Sequence, residues 1–176
     1  MATIPAAATW TPGTGSETTA AILNARIRDA VNFLTGKPLC VLRKNATQSV
    51  PHDTWTDVTW QLEDIDTDAG HSTVTNTHLY TAQTAGWYYL TASIEFSGHA
   101  AQYRQAKFVC STGVEVGEHT VMLNGSTHGS DVCTSAHLYM AVGQTVKVQA
   151  WQDSGTTLNI QNDSLDSRFE IAWVSA

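Results

Sequence analysis

The sequence predicts a mainly β protein: a jelly-roll β-sandwich with a short N-terminal arm and one α-helix. Three observations predict it. Apolar residues recur at helical spacing only between Ser16 and Leu34. From Leu39 onward they alternate with period two. Turn signals rich in Gly, Asn and Asp then cut the alternating part into many short strands, the pattern of a sandwich or jelly roll. The 176 residues suit one domain with an extension, divided as an arm and anchoring helix over 1–38 and a head over 39–176.

Met1 to Gly15 is rich in Ala, Thr, Pro and Gly and shows no periodicity, so it is expected to be extended, with Ile4 and Trp10 available to lie along a neighbour. In the helix, Ser16 is placed to cap the first turn and Glu17 to complement the positive end of the dipole. Leu23, Ile27, Val31 and Leu34 form one apolar stripe, and Asn24, Arg28 and Asn32 a polar flank. Gly36 is expected to end the helix in a left-handed conformation, and Pro38 forbids its continuation. The clearest strand follows Gly86, with Tyr88, Leu90, Ala92, Ile94 and Phe96 on one face and Trp87, Tyr89, Thr91, Ser93 and Glu95 on the other. Val146, Val148 and Ala150 alternate in another strand, and Phe169, Ile171 and Trp173 in a third. Further strands are expected near Leu39–Leu42, Asp57–Gln61, Gln105–Ser111, Glu118–Leu123 and Ser135–Met140.

Charged residues make up only 14%, and small uncharged polar residues replace them, a surface suited to packed assemblies. The formal net charge is -7 and the basic residues are scattered, which argues against binding a phosphate backbone. No apolar run is long enough to insert in a membrane, and the N-terminus lacks the basic and apolar regions of an export signal. Cys40, Cys110 and Cys133 are an odd set without metal-ligand spacing; reduced thiols are the expected state, and a Cys110–Cys133 bridge is the alternative.

Two resemblances are carried by specific residues. The stretch from Thr9 to Pro38, with Trp10, Gly13, Leu23, Asn24, Ile27, Arg28, Asp29, Phe33, Leu34 and Pro38, resembles a segment at the start of many bacteriophage minor structural and fibre proteins. The stretch from Leu39 to Ala176 is similar to the jelly-roll heads of the complement-q and tumour-necrosis-factor-like superfamily. Gly86 and Tyr88, Gly143 and Gln144, and the closing strand from Phe169 to Val174 carry that similarity, whereas Gly98 to Ser135 departs from the pattern. The second resemblance implies a compact homotrimer.

Catalytic and metal chemistry find little support. His119, His128 and His137 recur every nine residues, but turn signals separate them and no zinc motif is present. Acidic Glu63, Asp64, Asp66 and Asp68 contain a partial DxDxxG but lack a full calcium-loop register, so a solvated acidic loop is expected. Asp153, Asp163, Asp166 and Glu170 are the carboxylates a glycosidase would need, without a motif that places them together. Tyr88, Phe96, Phe169 and Trp173 are assigned to the core. Trp55, Trp60, Trp87, Tyr89 and Trp151 are assigned to outer faces, where rings either bury at a subunit interface or stack on sugars.

The sequence therefore points to a non-enzymatic homotrimeric virion structural protein, a capsid decoration protein or head fibre, without cofactor or metal. Ile4, Trp10, Leu23, Ile27, Arg28, Val31 and Leu34 are the expected anchor, set against a phage major capsid protein or a tail component. The alternative is a minor tail or receptor-binding protein that attaches to host-surface glycans, with Trp87, Tyr89 and Trp151 as the ligand or interface aromatics. Both readings place it in the virion, on the capsid surface or the tail.

Overall fold

The structure, a computed structural model, describes residues 20–99, 101–124, 129–162 and 167–176. Ile4, Trp10, Ser16 and Glu17 lie outside the described residues, as do His128, Asp163 and Asp166.

The helix is less regular than its sequence suggests. It runs as α1 (Ala20–Leu23), a π-helical turn (Asn24–Arg28) and α2 (Asp29–Thr35). The wider turn rotates the face before it away from the face after it, so the apolar stripe is not one straight row. Gly36 ends α2, but with φ -124° and ψ 44° rather than in the left-handed region. Its N–H still donates to the Asn32 oxygen at 2.9 Å, continuing the helical bond pattern one residue further, and Pro38 blocks the next.

Among the described residues twelve strands follow: β1 (Leu39–Arg43), β2 (Gln48–Val50), β3 (Thr56–Asp57), β4 (Leu62–Asp66), β5 (Tyr80–Thr81), β6 (Gly86–Phe96), β7 (Ala101–Cys110), β8 (Glu115–Asn124), β9 (Ser130–Met140), β10 (Thr145–Gln152), β11 (Leu158–Ile160) and β12 (Arg168–Ser175). Every pairing is antiparallel. One sheet follows the order β2-β11-β6-β12-β1-β4, with β9 also paired to β6; the other runs β3-β10-β7-β8, with β5 also paired to β10. Together they make the jelly-roll sandwich that the period-two pattern predicts.

The alternation in each long strand does the sorting. Strands β6 and β12 turn Tyr88, Leu90, Ile94, Phe96, Phe169, Ile171 and Trp173 inward, while β7 and β10 contribute Ala106, Phe108, Val146, Val148 and Ala150 from the other side. Phe108 stacks on Phe169 at 5.7 Å, and Trp60 packs on the same ring at 5.8 Å, so aromatic contacts join the two sheets at mid-core.

Trp60 corrects its assignment to an outer face: it is fully buried. The expected strand Asp57–Gln61 ends at Asp57, after which Val58 and Trp60 donate to the Val148 and Thr77 oxygens and both turn inward. Trp55 and Trp60 are an odd number apart in an extended segment, which sets them on opposite faces. The Cys110–Cys133 bridge does not form. Cys110 points into the core from β7 and Cys133 outward from β9, and all three thiols are free.

Gly86 opens β6 at φ +147°, a conformation L-residues rarely adopt. A Cβ there would lie 2.4 Å from both the Ser175 oxygen and Trp173 Nε1. Gly86→Ala is therefore expected to destabilise the fold by about 2–4 kcal/mol. Chemical denaturation followed by fluorescence checks this, and a midpoint equal to that of the parent chain would refute the steric assignment.

Candidate functional site

Three groups of residues were candidates for function: the helix stripe, the outward aromatics and the carboxylate and histidine clusters. The helix joins the sandwich through Phe33, which is buried and meets the Trp173 ring edge-on at 4.9 Å. Phe33 is not part of the expected stripe. Among the stripe residues, Ile27, Val31 and Leu34 are 58%, 51% and 66% exposed. Leu23 is described as part of α1 by its backbone alone. Arg28 is exposed and spends its charge on its neighbour Asp29, at 3.0 Å.

The outer face of the sheet containing β6 is divided along its length. At the end where the helix attaches, β6 and β9 place Trp87 opposite Tyr139 and Tyr89 opposite His137. The first pair meets edge-on at 5.8 Å and the second lies at 4.9 Å. Trp87, Tyr89 and Tyr139 are 45%, 39% and 49% exposed, and Val174 and Ile65 on the same sheet are exposed too. Towards the other end the face becomes polar. Arg43 binds Asp64 at 2.6 Å, and Arg168 reaches Asp64 at 3.5 Å and Glu170 at 3.3 Å. Tyr139 lies within the expected strand Ser135–Met140, and the pairing of β9 with β6 sets it directly across from Trp87.

Trp151 belongs to neither group. It lies on β10, on the outer face of the opposite sheet, beside Trp55 at 6.3 Å. The three aromatics Trp87, Tyr89 and Trp151 thus divide into two surfaces on opposite sides of the sandwich.

The clusters considered for chemistry have structural partners. Three of the four acidic residues, Glu63, Asp64 and Asp66, stand not in a loop but in the edge strand β4, where charge discourages pairing with another chain. Asp66 accepts the N–H groups of Asp68, Gly70 and His71, and Asp68 accepts from the Tyr80 hydroxyl at 3.3 Å. His71 is held between the Leu79 and Trp60 oxygens, at 2.8 and 3.2 Å. Asp153 accepts the Tyr103 N–H at 2.6 Å, on the sheet opposite Glu170. His119 and Glu170 border a shallow groove of about 460 Å³ with Thr91, Ser93, Cys133 and Ser135. Among the described residues no three His, Cys, Asp or Glu side chains converge as metal ligands.

With this geometry in place, comparison with solved structures is informative. The globular domain of zebrafish complement 1qA protein superposes with a TM-score of 0.56 at 16% identity, over 78% of this chain and 98% of that one. Murine APRIL superposes with a TM-score of 0.60 at 9% identity, over 78% and 98%. The chain has the complement-q/tumour-necrosis-factor-like jelly-roll fold. At these identities the likeness is one of fold. No protein-family model matches the sequence, and no curated protein matches it significantly.

Asp68 provides a titration test of the loop before β5. Burial, reinforced by nearby Asp66, pushes its carboxyl up to about 6. Between roughly pH 4 and that value the folded chain holds a proton that the unfolded chain has released, so this residue's contribution to stability falls as pH rises through the window. Asp68→Asn keeps an acceptor for Tyr80 and removes the titration. It is expected to flatten the stability profile across pH 4–6 and to raise stability at pH 7 by about 1–2 kcal/mol. Denaturation midpoints measured across pH check this; a slope unchanged by the substitution would contradict the buried-acid assignment.

Proposed function

We propose that this chain is a non-enzymatic homotrimeric structural module of a bacteriophage virion, a capsid decoration protein or head fibre, anchored through its N-terminal arm and helix. The observation that carries the reading is the exposure of Ile27, Val31 and Leu34 on a helix attached to an otherwise closed sandwich. Each of these side chains contributes roughly 1.5–3 kcal/mol when fully buried. The sandwich fills its own core and nothing among the described residues covers these side chains, so we assign that gain to contact with another chain.

A second exposed apolar surface supports self-association. Trp87, Tyr89, Tyr139 and Val174 form a band at the helix end of one sheet, and large aromatics of this kind dominate the buried centres of protein interfaces. The jelly-roll likeness favours a threefold arrangement. Three copies would then present three helices together, and weak individual anchors on a particle would combine through effective concentration. The phage assignment rests on the resemblance of Thr9 to Pro38 to the opening segment of phage structural proteins.

The purified chain is expected to have the mass of three copies by light scattering. Trp87→Glu together with Tyr139→Glu is expected to yield a folded monomer. Deleting Met1 to Leu34 is expected to leave a folded head that no longer enters particles. A parent chain that is monomeric at micromolar concentration would remove the trimer, and normal incorporation of the truncated chain would remove the anchor.

A further inference from the structure

The outer face of the β3-β10-β7-β8 sheet is separate from both surfaces used above. Here Trp55, just before β3, and Trp151, on β10, bring their ring centroids to 6.3 Å with the planes 38° apart. Lys107 of β7 is buried, and its Nζ lies 4.1 Å from the centre of the Trp55 ring. The half-buried indole therefore covers the buried ammonium. Glu115 fixes the ammonium from the side at 2.8 Å. Tyr103, two residues before Gln105 on the same face of β7, adds a third, exposed ring, with Met122 opposite it at the margin.

Polar groups surround these rings. Gln105 lies opposite Trp151 in the ladder and uses its amide N–H to reach Thr120 Oγ1 at 3.0 Å, leaving its amide oxygen to face outward as an acceptor. Gln149 uses its own amide N–H on Asp57 at 2.8 Å, which leaves the same kind of acceptor on the other side. The charges cancel locally. Lys107 has Glu115, and Lys147 has Asp57 at 2.8 Å. The hydrogen bonds from Lys147 and Gln149 outweigh burial and hold the Asp57 carboxyl below its ordinary value, so that pair stays ionised together.

We infer that this face is a binding platform for a neutral oligosaccharide. The C–H face of a pyranose is flat and apolar and stacks on an indole face, while its hydroxyls project from the ring edge and can meet the Gln105, Gln149 and Thr120 side chains around the two rings. Anionic ligands gain nothing from a patch whose two cations are already paired. Trp55 is held before binding by the Lys107 ammonium against its ring, so little of its side-chain entropy is lost when a ligand docks.

The test is titration of the intact chain with neutral oligomers of glucose, galactose and N-acetylglucosamine, followed by tryptophan fluorescence and calorimetry. At least one series is expected to bind. Trp55→Ala and Trp151→Ala are each expected to weaken it by about tenfold or more. Trp151→Phe, which keeps a flat ring, is expected to retain most of the affinity, and Val142→Ala, at an exposed site before β10 and at the other end of that strand from Trp151, all of it. Circular dichroism establishes that each variant is folded. The light-scattering mass of Trp151→Ala is expected to equal that of the parent, which separates failure here from failure of the assembly reading. Absence of binding by the parent to every series at millimolar concentration would overturn the inference. So would unchanged affinity in both folded Trp→Ala variants, or an equal loss of binding in folded Val142→Ala.

Discussion

The attachment of helix to sandwich depends on Trp173. Its backbone N–H donates to the Pro38 oxygen at 2.9 Å, which fixes where the chain leaves the helix and enters β1. Its indole N–H donates to the Ala85 oxygen at 3.1 Å, and the ring lies so close to Gly86 that no side chain fits between them. Phe33 packs on the same ring, and Lys37 places its ammonium 5.4 Å from the ring centre. One indole near the end of the last strand therefore ties together the helix C-terminus, the start of the first strand and the opening of β6. The parity of β12 places it there, in step with Phe169 and Ile171.

Beyond that contact the helix has little holding it. Phe33 is its one buried side chain among those described, and the aliphatic residues that give the sequence its helical pattern face water. The sandwich, in contrast, needs nothing further to close its core. The two outer faces then differ in kind. One carries exposed aromatics at the helix end and ion-paired groups at the other. The opposite face carries two half-buried indoles among amides and compensated charges. Apolar area concentrated next to an unsatisfied helix suits contact with another chain, whereas rings spaced among hydrogen-bonding groups suit a small polar ligand.

Period-two alternation made the long strands legible, and the inward residues of β6, β10 and β12 follow it residue by residue. Gly86 was readable because a turn glycine precedes a long alternating run. Short strands were not readable: β2, β5 and β11 have three, two and three residues, too few to establish a period, and they exist because longer neighbours offer them hydrogen bonds. Strand β4 was hidden by its acidic composition, which reads as loop until Arg43 on the neighbouring strand is seen to neutralise it. The candidate site was legible only in part. Parity within one strand can be read, but nothing in the sequence tells which sheet a strand joins, and so Trp87 and Trp151 could be grouped although the fold parts them. Phe33 was obscured because helical periodicity favours the row of aliphatics over a single ring that faces another way.

The π-helical turn adds a final constraint. A helix nucleates at a cost that only a run of regular hydrogen bonds repays, and stretches shorter than about 12–15 residues are marginal in water. Here the α-helical segment after the wide turn, α2, has seven residues. A segment of that length is not stable on its own terms, and Phe33 secures it to the sandwich. In the assembly proposed above, burial of Ile27, Val31 and Leu34 against another surface would supply what local propensity does not. The free energy that fixes the shape of the helix would then be the same free energy that holds the module in place.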